Sequence, residues 1–415
     1  MHQVVRRRQT GSARLKKVMR LNSTIQRIKP SGIREFFDIV STMPDALSLG
    51  VGEPDFVTPW YIRDAAIKSI QRGYTAYTSN KGLPALCEEI AAYLSRRFGT
   101  DYDPKSEILV TMGASEAIDL ALRVLIEPGD GVLIPSPSYV SYLPITMLCG
   151  GHPVPVDCTL RADFKLTPEA LEQAAADGKS KVLIMPYPNN PTGAVMTAED
   201  LAALLPVIEK YDLSVVSDEI YAELTYDGKH VSPASINGYR DRTIVINGFS
   251  KAFAMTGWRL GYIAAPADAL SAMLKVHQYT ALCAPTPSQY AGIAALKDGR
   301  YDGYKAVEDM REEYDRRRRF IVDELNSMGL TCRLPGGAFY ALADVSSTGM
   351  DGQRFARRLL ADEKVAVVPG DAFGDAGKNY IRVSYATSLR TLMQAAERMN
   401  RFVARCAEER RTGVE

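Results

Sequence analysis

The sequence has few of the residues from which metal centres and disulfide frameworks are built. Its six cysteines are scattered along 415 residues without a Cys-X-X-Cys pair, and its four histidines show no metal-ligand spacing. We therefore expect no metal site, and we expect reduced thiols in a cytoplasmic enzyme. The chain also lacks a recognisable signal peptide and any apolar run long enough to span a bilayer, so we expect no membrane partner.

Charge of one sign is not in excess either. The 50 lysines and arginines nearly balance the 49 aspartates and glutamates, so bulk electrostatics do not favour nucleic acid as a partner. Only the N-terminus is biased, because no acidic residue precedes Glu35. A nucleic-acid arm or an organelle presequence would have this bias, but we favour a basic and flexible tail over residues 1–22.

The apolar pattern from about residue 105 onward is typical of an α/β protein. Short β-branched runs without a polar face alternate with longer helical stretches. Strands of that kind form mostly parallel sheets covered on both sides by helices, and ligands bind beyond the carboxyl ends of the strands. The predicted strands span 107–111, 131–134, 181–185, 213–217 and 242–246, and helices are predicted over 115–126 and 201–210.

The length of the chain predicts more than one domain. A helix-rich stretch over 301–328 is followed, after the glycine pair at 336–337, by short strands and helices up to about residue 404. This change of pattern predicts a second, smaller α+β domain. We expect the run of four arginines at 316–319 to be an exposed helix face rather than a nucleic-acid patch.

One lysine has a distinctive setting. The apolar strand predicted over 242–246 runs into a small polar turn that presents Lys251, and Arg259 follows eight residues later between glycines. A lysine can form an imine with an aldehyde, and an arginine close by can hold a dianionic phosphate. These are two requirements of pyridoxal phosphate (PLP), although a surface lysine after a strand would look similar.

Two further segments suit the phosphate and the ring of PLP. Gly113, Ala114 and Ser115 follow a strand and open a helix, where unpaired backbone N–H groups favour an anion. Asp218 ends a buried strand, where its carboxylate could keep a pyridine nitrogen protonated, and Tyr221 follows it by three residues. The alternative for Asp218 is a helix N-cap.

Two polar side chains suit oxygen atoms of a ligand. Asn190 lies in a turn constrained by two prolines and a glycine, where its amide could donate to a ring oxygen, unless the turn is an ordinary Asn-Pro turn. Arg382 lies within an apolar strand, where a bidentate carboxylate would satisfy its guanidinium. A structural salt bridge is the alternative for Arg382.

Taken together, these motifs resemble the class I/II PLP-dependent aminotransferases of fold type I, from about residue 33 to residue 402. The resemblance implies a large PLP-binding domain over 58–298, with a mostly parallel seven-stranded sheet between helices. It also implies a smaller α+β domain over 299–415 and an N-terminal arm over 23–57 that joins the small domain. The motifs that carry it span 47–56, 77–82, 189–193, 217–221, 250–261 and 381–384.

The resemblance also implies roles for individual residues and a homodimer with shared active sites. Tyr77 would reach the cofactor phosphate of the neighbouring subunit, and Ile33 would face the substrate side chain. Lys251 would form the imine and transfer the proton, and Asp218 would be the partner of the pyridinium nitrogen. The other cofactor contacts would be made to the phenolate oxygen by Asn190 and Tyr221, to the phosphate by Arg259 with Gly113, Ala114 and Ser115, and to the ring face by Tyr139. Arg382 would bind the substrate α-carboxylate, with Asn190 and the backbone of Gly52.

The substrate is less constrained by this resemblance. Bacterial-type aspartate enzymes often carry a lysine where this chain has Ser115, and no arginine occurs in the stretch 283–288. We therefore favour a ping-pong aminotransferase for aromatic or varied L-amino acids, with 2-oxoglutarate as acceptor. An aspartate or N-acetyl-diaminopimelate aminotransferase and a PLP-dependent C–S lyase are alternatives. A ligand-sensing regulator is disfavoured, because only about thirty residues precede the resemblance.

Overall fold

A computed structural model of the chain describes residues 19, 21–30, 43 and 45–412. The basic tail predicted over 1–22 falls almost entirely outside the described residues, and so does Ile33. In the described part of the chain, no helix is both long and apolar enough to cross a membrane.

The described strands and helices are numbered here in chain order. The strands are β1 Leu47–Ser48, β2 Ile108–Thr111, β3 Gly131–Ser136, β4 His152–Asp157, β5 Ser180–Met185, β6 Ser214–Asp218, β7 Thr243–Gly248, β8 Gly261–Ala264, β9 Thr331–Cys332, β10 Tyr340–Asp344, β11 Val365–Ala366, β12 Val368–Pro369 and β13 Tyr380–Ser384. The α-helices are α1 Ser23–Arg27, α2 Trp60–Gln71, α3 Pro84–Phe98, α4 Ala114–Leu125, α5 Tyr142–Leu148, α6 Pro168–Ala175, α7 Ala198–Lys210, α8 Ala267–Thr280, α9 Thr286–Lys297, α10 Lys305–Ser327, α11 Gly352–Glu363 and α12 Leu389–Thr412.

The larger sheet confirms the predicted α/β fold. Among the described residues it contains seven strands in the order β2-β8-β7-β6-β5-β3-β4. Only β8 is antiparallel to its neighbours β2 and β7, and the other pairings are parallel. The sequence prediction omitted β8 and β4. Strand β4 lies at the sheet edge and contains two prolines, and prolines weaken the strand signal there.

Both faces of this sheet are covered, which explains the continuous apolar runs in its strands. Side chains of a strand alternate between the two faces. In β7, Ile244 and Ile246 belong to the core formed with α4 and α8, whereas Val245 belongs to the core formed with α3 and α9. Because every position of the strand is buried, β7 shows no polar face in the sequence.

A second sheet has the order β12-β13-β10-β9 and is antiparallel. It shares one apolar core with the helices α10, α11 and α12. The short strand β1 pairs in parallel with β11, so the segment before residue 50 also joins this part of the molecule. The predicted smaller α+β unit is therefore present, while the domain boundaries after residues 57 and 298 stay a prediction.

The arginine run on α10 is not the exposed face that we expected. Arg317 and Arg318 are buried, and only Arg316 and Arg319 are exposed. Arg317 donates to both carboxylate oxygens of Asp55 at 2.9 Å. The expectation was wrong for the two central arginines, because paired guanidinium groups can be buried where unpaired ones cannot.

Candidate active site

The predicted site residues converge because the parallel strands β5, β6 and β7 end at the same edge of the large sheet. A cavity of ≈ 520 Å³ opens at that edge, between the large sheet and the second sheet. Ten of the predicted residues line it: Gly52, Ala114, Ser115, Tyr139, Asn190, Asp218, Tyr221, Lys251, Arg259 and Arg382.

Lys251 lies in the turn that follows β7 and extends into this cavity. Its Nζ donates a hydrogen bond of 2.6 Å to the carbonyl oxygen of Gly52. Burial lowers the pKa of Lys251 to about 8, and the positive charges of Arg382 and Arg259 act in the same direction, while Glu53 opposes them. The uncharged amine is therefore far more populated near neutral pH than in an exposed lysine, which suits a nucleophile or a base.

Asp218 ends β6 and is buried at the floor of the cavity. Burial raises its pKa to about 6, and two hydrogen bonds oppose this rise. Tyr142 donates to Oδ2 at 2.7 Å, and the backbone N–H of Ile220 donates to Oδ1 at 3.2 Å. Asp218 thus closes a local turn, but no α-helix begins there, so it is not the N-cap of the alternative interpretation.

The start of α4 has the features of an anion site. Gly113 is the N-cap residue, with φ of 82° and no side chain to cap the helix, so the first N–H groups of α4 stay accessible. Arg259 donates to the carbonyl oxygens of Thr256 at 3.2 Å and Met112 at 3.5 Å. A Cβ atom added at Gly113 would lie 2.7 Å from Nη2 of Arg259, so a larger residue would displace the guanidinium that crosses the turn, and the positive φ independently favours glycine.

Arg382 lies in β13 and is 3% exposed. Its Nη1 donates to Oδ1 of Asn190 at 2.9 Å, and its Nη2 donates to the carbonyl oxygen of Gly50 at 2.6 Å. Among the described residues no carboxylate pairs with it, which excludes the structural salt bridge there, and Nε has no hydrogen-bond partner. Burial lowers the pKa of Arg382 from its usual value. A buried guanidinium without a counter-charge suits an anionic ligand.

Two tyrosines that the sequence analysis missed support the site: Tyr340 lines the cavity, and Tyr142 contacts residues that line it. Tyr340 of β10 hydrogen-bonds the hydroxyl of Tyr221 at 2.8 Å, and its ring lies 4.3 Å from the guanidinium carbon of Arg382. Tyr139 meets the ring of Tyr142 edge to face, with centroids 5.6 Å apart. Tyr142 was detectable as a second tyrosine three residues after Tyr139, but only the fold brings Tyr340 to this site.

Three predicted residues stand apart from the others. Gly113 does not line the cavity itself, although it directly precedes Ala114, which does. Tyr77 is 82% exposed and does not border the cavity of its own chain. Ile33 lies outside the described residues. The cavity also includes Glu53, which the sequence analysis had not selected, and its carboxylate accepts a hydrogen bond of 2.9 Å from Thr256.

Comparison with known proteins assigns the family. The profile of the family "Aminotransferase class I and II" matches residues 44–399. The chain is a class I/II aminotransferase. This enzyme is 51% identical over 383 residues to the putative aminotransferase YugH of Bacillus subtilis, covering 92% of this chain and 98% of the relative. It is 44% identical over 386 residues to an aspartate aminotransferase of Pyrococcus abyssi, covering 93% of this chain and 98% of that relative.

A solved structure of the same family shares the whole fold. The aromatic aminotransferase of Pyrococcus horikoshii OT3 superposes with a TM-score of 0.85 at 44% sequence identity, covering 89% of this chain and 99% of that one. The predicted activity, transfer of an amino group between an amino acid and an oxo acid, is thereby confirmed at the level of the family. The family depends on PLP, and the amine, carboxylate and anion site in this cavity are the groups that such a cofactor requires.

Proposed function

We propose that this aminotransferase binds PLP in the cavity at the strand ends and uses it to move the amino group of an L-amino acid to a 2-oxo acid. One observation carries the proposal: the Lys251 amine, the Asp218 carboxylate and the Arg259 guanidinium all border one cavity. The bound cofactor would supply an electron-withdrawing ring, for which Asp218 would keep the ring nitrogen protonated.

The other polar groups of the cavity would hold the cofactor in one orientation. Arg259 and the first turn of α4, from Gly113 to Ser115, would hold the phosphate. Asn190 and Tyr221 would donate to the phenolate oxygen, and the ring of Tyr139 would stack on the cofactor ring. Apart from Gly113, each of these residues lines the cavity, which supports its role.

Substrate binding and proton transfer would fall to two residues. Arg382 would receive the α-carboxylate, with Asn190 and the backbone of Gly52 beside it, because its guanidinium is buried without a carboxylate partner among the described residues. The uncharged Nζ of Lys251 would take the proton from the substrate Cα, which its lowered pKa favours. The donor would leave as its oxo acid before the acceptor binds, in a ping-pong sequence.

We infer an aromatic or broad donor specificity, with 2-oxoglutarate as the acceptor. The cations that line the described part of the cavity are Lys251, Arg259 and Arg382, and each already has a role. A distal carboxylate would need another cation, and the carboxylate of Glu53 would repel it. The name of the Pyrococcus abyssi relative supports the alternative of an aspartate donor, and N-acetyl-diaminopimelate is a further alternative.

The proposal includes a homodimer with shared active sites. Three large aromatic side chains are exposed in the single chain: Tyr77 (82%), Tyr279 (85%) and Trp60 (61%). A second copy that covers such apolar side chains would bring Tyr77 to the phosphate of the neighbouring cofactor.

The absorption spectrum of PLP-loaded protein, mixed separately with each L-amino acid and no acceptor, tests the proposal. We expect the band of the lysine-bound cofactor to disappear with aromatic donors as the pyridoxamine form appears. The same change with aspartate alone would favour the aspartate alternative. Release of pyruvate and ammonia from a cysteine conjugate without acceptor would favour a C–S lyase. If purified protein bound no PLP, the assignment of Lys251 would be wrong.

A further inference from the structure

The turn before α4 is held by a side chain from within the helix. Gly113 is the N-cap residue and offers no side-chain acceptor, so the usual cap is missing. Instead, Glu116 in the first turn of α4 reaches back, and its Oε2 accepts the backbone N–H of Met112 at 2.6 Å. The hydrogen bond spans the whole turn, because Met112 precedes Gly113 and Glu116 follows Ser115.

Glu116 is in turn held by a buried histidine from another helix. His277 of α8 is 0% exposed, and its Nδ1 lies 2.8 Å from Oε1 of Glu116. Its Nε2 is buried and has no hydrogen-bond partner among the described residues. The tautomer with the proton on Nδ1 is therefore favoured, because it donates to the carboxylate and leaves no buried N–H without an acceptor.

This arrangement also directs the carboxylate away from the anion site. A carboxylate in the first turn of a helix is attracted by the same N–H groups that attract a phosphate. With Oε1 bound to His277 and Oε2 bound to Met112, both oxygens of Glu116 are occupied outside that site. The accessible N–H groups of Ala114 and Ser115, and the Arg259 guanidinium that crosses the turn, then remain for the phosphate.

We propose that Glu116 and His277 are positioning residues that hold the Met112–Gly113–Ala114 turn in the conformation that binds the cofactor phosphate. The inference rests on the proposed function, since it assumes that PLP binds with its phosphate at this turn. Neither residue borders the cavity, so neither would contact the reacting atoms.

The test compares PLP with pyridoxal, which has the same reactive aldehyde but no phosphate. In His277→Leu the dissociation constant for PLP should rise roughly tenfold, because one hydrogen bond to a charged group is lost. Pyridoxal should bind as tightly as it does to the original protein. His277→Asn, which keeps a donor near the Nδ1 position, should restore most of the PLP affinity.

Two variants on α4 provide the matched comparison. Glu116→Ala should also weaken PLP binding, though less than His277→Leu, because the repulsion between carboxylate and phosphate is removed as well. Asp119 lies three residues further along and pairs with Arg123, away from the turn, so Asp119→Ala should bind PLP normally. If His277→Leu does not fold, the comparison of Glu116→Ala with Asp119→Ala tests the proposal instead.

The outcomes separate the inference from the proposed function. If PLP and pyridoxal lose affinity equally, the pair has only a general structural role and the inference is wrong. The inference is also wrong if PLP affinity is unchanged in His277→Leu and Glu116→Ala. If the unsubstituted protein binds neither compound, the proposed function and the inference fail together.

Discussion

The hydroxyl of Tyr142 donates a hydrogen bond of 2.7 Å to Oδ2 of Asp218, and both side chains are buried. Burial raises the pKa of Asp218 to about 6, and the bond from Tyr142 is the largest opposing influence. The fraction of Asp218 that is ionised near neutral pH therefore depends on Tyr142, a residue from a different segment of the chain.

Tyr142→Phe should shift the acidic limb of the pH–activity profile to higher pH. The substitution removes a hydrogen bond that favours the carboxylate, so the pKa of Asp218 rises and the active, ionised form is lost at a higher pH. The measurement is kcat/KM against pH. Tyr239→Phe is a matched control, since the Tyr239 hydroxyl also donates one buried hydrogen bond of 2.7 Å, but to the carbonyl oxygen of Leu201 rather than to a residue of the cavity. An acidic limb that does not move would contradict the assignment.

Asp218→Asn should stabilise the cofactor-free protein at pH 7.5 while abolishing transamination. The folded-state pKa of about 6 exceeds the ordinary value of 3.8, so the folded protein holds this proton more tightly than the unfolded chain. Stability is therefore lost as pH rises from about 4 to 6, by up to about 3 kcal/mol. In urea unfolding, the free energy of unfolding of Asp218→Asn should exceed that of the original protein at pH 7.5 and nearly equal it at pH 4. Equal gains at both pH values would contradict this explanation.

Arg382→Lys should raise KM for the amino acid and lower kcat/KM roughly 100-fold. An ammonium group cannot make the two parallel hydrogen bonds that a guanidinium makes to a carboxylate. The shorter side chain also loses the contacts with Asn190 and Gly50. Steady-state kinetics with an aromatic donor measure the effect. Retention of the original KM would show that the α-carboxylate binds elsewhere.

Gly113→Ala should weaken PLP binding, whereas Gly99→Ala should not. Both glycines have positive φ, but Gly99 with ψ of 30° lies in the left-handed helical region, whereas Gly113 with ψ of 168° lies in a region almost confined to glycine. Gly99→Ala should therefore cost about 1 kcal/mol of stability through backbone strain, and Gly113→Ala should cost more. A Cβ at Gly113 would also displace Arg259, while a Cβ at Gly99 meets nothing within 4 Å. Titration with PLP, together with thermal unfolding of the cofactor-free proteins, separates strain from the loss of the phosphate contact.

Lys251→Ala should abolish turnover, because no other amine lines the described part of the cavity to act as nucleophile and base. Lys229 is exposed outside this cavity, and Lys229→Ala should retain full activity. Oxo-acid release from an aromatic donor is the measurement. Wild-type turnover in the Lys251 variant would refute the assigned role.

Much of this molecule could be predicted because the relevant signals are local. Strands β5 and β7 contain consecutive apolar residues that are buried on both faces, over 182–185 and 244–246, and such runs indicate a parallel sheet directly. The turns that carry Lys251, Asp218 and Gly113 each follow a strand, and strand ends of a parallel sheet meet at one edge. The antiparallel β8 was missed because its four residues, Gly261–Ala264, form too short a run to give a clear strand pattern.

The sequence by itself determined the α/β fold, the family resemblance and the chemical groups available at the strand ends, because each depends on residue type and short-range spacing. Tertiary structure alone decided that Tyr142 reaches Asp218, that Tyr340 covers Arg382, and that His277 holds Glu116. It also decided that Arg317 and Arg318 are buried rather than exposed. These contacts join segments far apart in the chain, and only packing determines which of many possible partners a buried polar group meets.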